Sequence, residues 1–508
     1  MKFCREAPSF ITHFHAPESP VPSQDFGKLK LLIGGDWVVS ESGESRPIFN
    51  PAEGRQIAQI PFSTKEEVGR ATSAAAGAFE AWKETTVGER VQYLFRLKEV
   101  MEANAEELAT LNTLNHGKTL TESRGDVRRT IENVEAAISL AYTNAKGSNI
   151  DQISKGVDTQ TTKEPLGVFA IVCPFNFPLM IPFWFLPYAI VLGDTVVVKP
   201  SDLTPVPMQR MAELIHDEVK LPPGVFNMVH GGAEVVESLI KNDSVRGVTF
   251  VGSTPVAKTV YRLAGEAGKR AIANGGAKNS IVVTKEARLD TAVPAIVSSF
   301  FGNTGQRRLA GANLLAVGPV KQELIEKFSR IAGALRVGNG LSPQTEMGPV
   351  VSKRAKERIE SLLQKGIDEG AKVVSDGRGA MVQEYPDGYY LGATVFDGVS
   401  PEMTIAKEEI FGPVASTMQV DSLDAAIDTI NTRTKFGNMA SLFTTDGGQA
   451  REFRRRVRAG NIGINIGVAA PSAYFPFGGM RESFFGVLHP QADSVDFFTD
   501  RKVTISRW

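Results

Sequence analysis

Residues 167–199 read GVFAIVCPFNFPLMIPFWFLPYAIVLGDTVVVK, and this stretch decides the fold. GVFAIVC (167–173) and TVVVK (195–199) are short apolar runs, the mark of strands buried on both faces. The segment between them, with 186–192, reads as a crossover helix, so 167–199 is a βαβ unit. Further strands are expected at 225–229, 247–251 and 280–283 with helices between, the pattern of a doubly wound sheet. Upstream, Thr64–Trp82 predicts an amphipathic helix. Thr64 and Glu67 form a capping-box pair, and Val68, Ala71, Ala75, Phe79 and Trp82 follow at helical spacing. Helices are also expected over 88–113 and 122–142. Downstream, strands at 314–317, 415–419 and 440–444 alternate with helices at 321–335, 353–369 and 423–432. They predict a second α/β domain over 286–470. The tail from 494 alternates apolar and polar residues, and a terminal strand of this kind is expected to pair across a subunit interface.

The 508-residue chain carries 56 Lys+Arg against 57 Asp+Glu, a formal net charge of −1. That balance excludes a general polyanion binder, so no nucleic-acid partner is expected. No run of eighteen apolar residues occurs, so no membrane partner is expected. Two cysteines, Cys4 and Cys173, exclude a disulfide framework and a thiolate metal site, and fit a cytoplasmic protein. Residues 1–28 lack an apolar core and are poor in basic residues, and they read as an irregular arm.

There is no G-x-G-x-x-G after the first strand, so the ordinary dinucleotide fingerprint is absent. The segments PFNFPLMIPFWFLPYAIVLGDTVVVKPSDLTP (174–205), FVGSTPVAKTV (250–260), ANGGAKN (273–279), FGNTGQR (301–307), EMGPVVS (346–352) and KEEIFGPVAS (407–416) instead resemble, in order, the aldehyde dehydrogenase superfamily. The resemblance runs from about residue 29 to the end. GGAKN and the C-terminal segment look most like the methylmalonate-semialdehyde dehydrogenase subfamily. It implies a Rossmann-like NAD-binding domain (29–142 and 164–285), a catalytic domain (286–470) and a small β oligomerisation arm (143–163 and 487–508), in a homodimer or homotetramer.

The resemblance also implies roles. Lys199 and Asp202 match the pair that holds the adenosine ribose. An acid there repels a 2′-phosphate, so NAD(H) is favoured and NADP(H) admitted. Asp202 is one methylene shorter than the family's usual Glu. Ser253, opening a helix, would face the pyrophosphate. Glu409 and Phe411 match residues at the nicotinamide ribose. Asn176 matches an oxyanion-hole amide, though a buried helix cap is the plainer reading. Arg129 and Arg307 match two arginines that grip a substrate carboxylate, which predicts a small acidic substrate. For Arg129, an exposed helix residue paired with Glu132 or Glu135 is the alternative.

One position departs from the pattern. The family's nucleophilic Cys directly follows GQR, and here that place is Arg308. A guanidinium stays protonated and offers no lone pair, so thioester chemistry is not expected. Cys173 is expected to be structural. Asn274 stands where hydrolytic members carry a Glu base, as in the semialdehyde subfamily. Three functions remain open: direct hydride transfer to or from a carbonyl, imine, hydrate or hemiaminal, with Asn176 and Arg308 polarising the substrate; a pseudoenzyme kept for binding; or a redox-neutral reaction on the same scaffold.

Overall fold

A computed structural model describes residues 24–508; Cys4 and most of the expected N-terminal arm lie outside them. Two sheets organise the chain. The first has the strand order Asp36–Val38, Leu31–Ile33, Phe226–Met228, Thr195–Lys199, Val168–Val172, Val245–Val251, Arg270–Asn274, Phe484–Phe485. Its five central strands are parallel, and the outer ones run antiparallel. Successive side chains of a strand point to opposite faces, and both faces are covered. Val168, Ala170 and Val172 pack with Val68, Ala71 and Ala75 on one side. Phe169 and Ile171 pack with Tyr188 and Leu192 of the crossover helix Leu186–Leu192 on the other.

The second sheet has the order Lys372–Ser375, Thr394–Asp397, Val414–Val420, Gly311–Val317, Asn279–Val283, Met439–Phe443, Asn461–Ile464. It is parallel apart from the first strand named. Asn279–Val283 lies inside this sheet, between Gly311–Val317 and Met439–Phe443. The expectation that 280–283 continues the first sheet is therefore corrected. The strand that does so is Arg270–Asn274, whose Arg-Ala-Ile-Ala-Asn sequence is a weak apolar signal. The chain thus crosses from one sheet to the other within Gly275–Lys278.

Thr64 caps Lys65–Trp82 with the reciprocal Glu67 bond the sequence predicts. Thr86 and Thr119 do the same for Val87–Ala103 and Leu120–Thr143. The single helix expected over 88–113 is two, broken at Asn104, whose side-chain amide donates to the Val100 carbonyl.

The tail also differs from expectation. Ser494–Phe498 is helical, and Phe497 and Phe498 lock into the first domain against Phe169. Thr499–Arg507 then pairs antiparallel with Val157–Pro165 of its own chain. Asn149–Ser154 completes this three-stranded arm.

Candidate active site

A cavity of about 290 Å³ opens where the helix Leu120–Thr143, the turn after Val168–Val172 and the loop 302–308 converge. A larger hollow of about 650 Å³ lies elsewhere on the surface, where Arg210 pairs with both Glu107 and Glu213.

The loop 302–308 is bent sharply. Asn303, Thr304 and Gly305 have φ of 54°, 54° and 70°, three left-handed residues in succession. Non-glycine residues in this region cost roughly 1–2 kcal/mol each. The surroundings hold them there. The Thr304 hydroxyl donates to the Gly348 carbonyl at 3.0 Å, and the Asn303 amide to the Gln306 carbonyl at 3.0 Å. The Asn303 backbone N–H donates to Glu122 Oε1 at 2.5 Å. A methyl group on Gly305 would sit 2.0 Å from the Gly412 carbonyl oxygen. This bend presents Arg307 and Arg308 to the cavity.

Each arginine already has an acidic partner. Arg307 pairs with Glu122 at 3.0 Å and Arg129 with Glu132 at 2.7 Å; the alternative reading of Arg129 as a helix ion pair matches this geometry. Arg308 Nη1 donates to both Glu409 oxygens, at 2.9 and 3.1 Å, and its guanidinium lies 5.0 Å from the centre of the Phe411 ring. Its side chain is 11 % exposed, and its buried Nε–H has no partner among the described residues. Glu409 also accepts the Ala277 N–H at 2.9 Å. It lines a second, small cavity of about 20 Å³ together with Lys278 and Phe411.

Asn176 is buried at the cavity wall. Its amide donates to the Gln306 carbonyl at 2.9 Å, while its side-chain oxygen has no partner among the described residues. The Asn176 backbone carbonyl accepts from Lys118 Nζ at 2.8 Å. Lys118 is fully buried, bonded to Asp126 at 3.1 Å and set over the Phe177 ring at 4.1 Å. Burial lowers its pKa, and Asp126 opposes that shift. Asn274 ends the strand Arg270–Asn274, with its side-chain N–H₂ buried and unpartnered among the described residues.

The remaining predicted residues lie at the C-terminal edge of the first sheet, away from this cavity. Lys199 is buried and donates to the Pro200 and Gly231 carbonyls at 2.8 and 2.9 Å. Burial lowers its pKa against the pull of Asp202. Asp202 accepts from Arg46 at 2.5 Å, and Arg46 lies over the Phe62 ring. Ser253 is the exposed N-cap of Thr254–Glu266, and its hydroxyl makes no capping bond. Cys173 is buried, donates to the Ile171 carbonyl, and does not line the cavity. Burial pushes its thiol up to about 12.

Sequence reasoning missed Glu122, Lys118, Lys278 and Arg46. Glu122 carries a visible capping signal, which disguises its second role as the partner of Arg307 and Asn303. Lys278 is buried beside Glu409, and burial brings its pKa down to about 7. Lys278 and Arg46 meet partners distant in sequence, Glu409 and Asp202, and Lys118, although Asp126 follows only eight positions later, also bonds the Asn176 carbonyl 58 positions away.

Residues 37–504 match the aldehyde dehydrogenase family. The malonate-semialdehyde dehydrogenase of Halalkalibacterium halodurans is 44 % identical over 482 residues, covering 95 % of this chain and 98 % of that protein. A malonate-semialdehyde dehydrogenase of Geobacillus kaustophilus is 43 % identical, covering 94 % and 99 %. Among solved structures, the methylmalonate-semialdehyde dehydrogenase of Oceanimonas doudoroffii superposes with a TM-score of 0.92 at 38 % identity, covering 95 % and 98 %. A Sinorhizobium meliloti structure assigned to the same activity, and complexed with NAD, superposes with a TM-score of 0.93 at 36 % identity, with the same coverage.

Proposed function

This chain belongs to the aldehyde dehydrogenase family, and from that membership we propose that it is an NAD(H)-dependent oxidoreductase that works without a covalent thioester. Its substrate is a small carbonyl or imine compound, or the corresponding hydrate or hemiaminal. The observation that carries this reading is that no cysteine among the described residues lines the cavity. Arg308 stands where the family's nucleophile is expected, and Cys173 is buried, bonded and held protonated.

The residues fit a dinucleotide. The free Ser253 hydroxyl at a thirteen-residue helix start suits a pyrophosphate. Lys199 and Asp202 lie at the strand end where such folds hold ribose, and Glu409 and Phe411 serve the nicotinamide end. A bound nicotinamide supplies or accepts the hydride. Asn176 acts on the substrate oxygen through its remaining amide N–H, in a water-poor wall where such a donor counts most. Arg129, Arg307 and Arg308 line the cavity, and Arg308, whose carboxylate partner lies outside it, gives it a preference for an acidic substrate. NAD is favoured, as in the Sinorhizobium relative; NADP remains admissible because Arg46 neutralises Asp202. Two cysteines support a cytoplasmic setting.

Deuterated NADH tests the reading. Deuterium is expected at the former carbonyl or imine carbon of the product, with no acyl adduct in the intact mass. Asn176→Ala is expected to slow turnover by roughly a hundredfold to a thousandfold. An unchanged rate removes Asn176 from the mechanism. Arg308→Cys is expected to gain an acyl adduct and a burst of NADH with a short semialdehyde. A second reading, nucleotide binding without turnover, is favoured by the pairing of all three cavity arginines. Saturable NADH binding with no deuterium transfer to any short aldehyde, ketone or imine selects it.

A further inference from the structure

We propose that Arg308 is a two-position anion receptor released by occupation of Glu409. This rests on the reading of Glu409 as part of the nucleotide site and deepens it.

Three arginines line the cavity, but their counter-ions are placed differently. Glu122 and Glu132 line the same cavity as Arg307 and Arg129, so those two charges are cancelled where a substrate would meet them. Glu409 does not line it. It belongs to the smaller cavity beside Gly275–Lys278, where the chain passes between the sheets. Arg308 therefore reaches out of the main cavity to find its partner.

The position it holds is incompletely satisfied. Nη1 makes both contacts to Glu409, and the buried Nε–H is left without an acceptor. The Arg308 backbone is fixed, since its carbonyl accepts from the Asn279 and Asn438 amides, both at 2.8 Å. A change of position is then a side-chain rotation and needs no loop movement. Glu409 would not be stranded by it, since Glu409 keeps the Ala277 N–H and has Lys278 beside it.

Ribose hydroxyls that donate to Glu409 compete with Nη1 for the same two oxygens. Once displaced, the guanidinium keeps its charge, and a buried cation without a partner is costly. A carboxylate in the main cavity relieves that cost. A nucleotide bearing a ribose at Glu409 and a small carboxylate must therefore each raise the other's affinity, since coupling is reciprocal. ADP, which lacks the second ribose, must not.

Titration calorimetry on the full chain tests this, with malonate as the anion because it has no reactive carbonyl. Its affinity is measured alone, with saturating NAD and with saturating ADP. The expected result is a rise of at least about fivefold with NAD, the lower end of ordinary coupling, and none with ADP. In Arg308→Gln the rise is expected to vanish while NAD binds at least as tightly. In Glu409→Gln malonate is expected to bind tightly without any nucleotide. An equal rise with NAD and ADP, or a rise that survives in Arg308→Gln, overturns the proposal. Nucleotide binding without coupling overturns it alone. Failure of both nucleotides to bind overturns the cofactor reading as well.

Discussion

His230 sits fully buried beside Lys199, with Nε2 3.2 Å from Gln209 Oε1. Burial, with Lys199 adding to it, brings its pKa down to about 3. The unfolded chain takes up that proton near pH 6.5, and the folded chain does not. Stability from this residue is therefore present above pH 6.5 and is lost as pH falls toward 3. Between pH 7 and 5 the loss should be about 2 kcal/mol, since only the stretch below about pH 6.5 carries the full slope of about 1.4 kcal/mol per pH unit. His116, buried and also lowered, adds loss of the same sign. Urea unfolding at the two pH values should show a smaller acid loss in His230→Gln than in the parent. Cys173 leads to a second expectation at this scale. An iodoacetamide-treated native protein should retain NADH binding and turnover unchanged, and NAD-protected loss of turnover would contradict the structural reading. Among the residues facing the cavity, Asn176, Arg307 and Arg308 were legible from short motifs, and Arg129 from the family resemblance, with its neighbour Glu132 as a visible partner. The distant partners were not legible, because Arg308 meets a carboxylate 101 positions away and, outside the cavity, Asp202 meets an arginine 156 positions away.

The loop 302–308 is the element on which the site depends. Gly305 is its pivot, with φ 70° and the Gly412 backbone against it. Gly305→Ala is expected to lose more than about 2 kcal/mol from strain and overpacking together, read as a lower urea midpoint. It should also weaken malonate binding in the presence of NAD, because Arg308 is carried on the same bend. A stable variant with parental affinity would show that the loop tolerates another shape. Elements governed by neighbouring residues could be read directly from sequence. The Thr64–Glu67 box is local chemistry and is found as expected. The break at Asn104 is a subtler local event. The placement of Asn279–Val283 in the second sheet was not legible, because an apolar strand fits either sheet equally well and its neighbours, Gly311–Val317 and Met439–Phe443, come later in the chain.

At the scale of the molecule, two α/β layers and an arm were foreseeable from alternating strands and helices, but the arm's internal pairing was not. In register, Ile505 faces Thr159, which faces Ile150. Val503, Ile505 and Ile150 are all exposed, Ile505 by 70 %. A three-stranded sheet with open edges and exposed apolar side chains seeks a partner, and a second copy of this chain is the one expected. Light scattering should give a dimer or tetramer for the parent and a monomer for Ile505→Lys; a monomeric parent would remove the arm from assembly. The same arm sets an order of events during synthesis. Arg507 pairs with Val157, and Phe497 and Phe498 fill the core against Phe169. These partners for Val157 and Phe169 are synthesised only after every strand of the two main sheets. The first domain stays incomplete, with Phe169 lacking its aromatic neighbours, until the segment from Ser494 onward has been made. A chain interrupted before Ser494 thus has an open core, a natural target for chaperones and proteases.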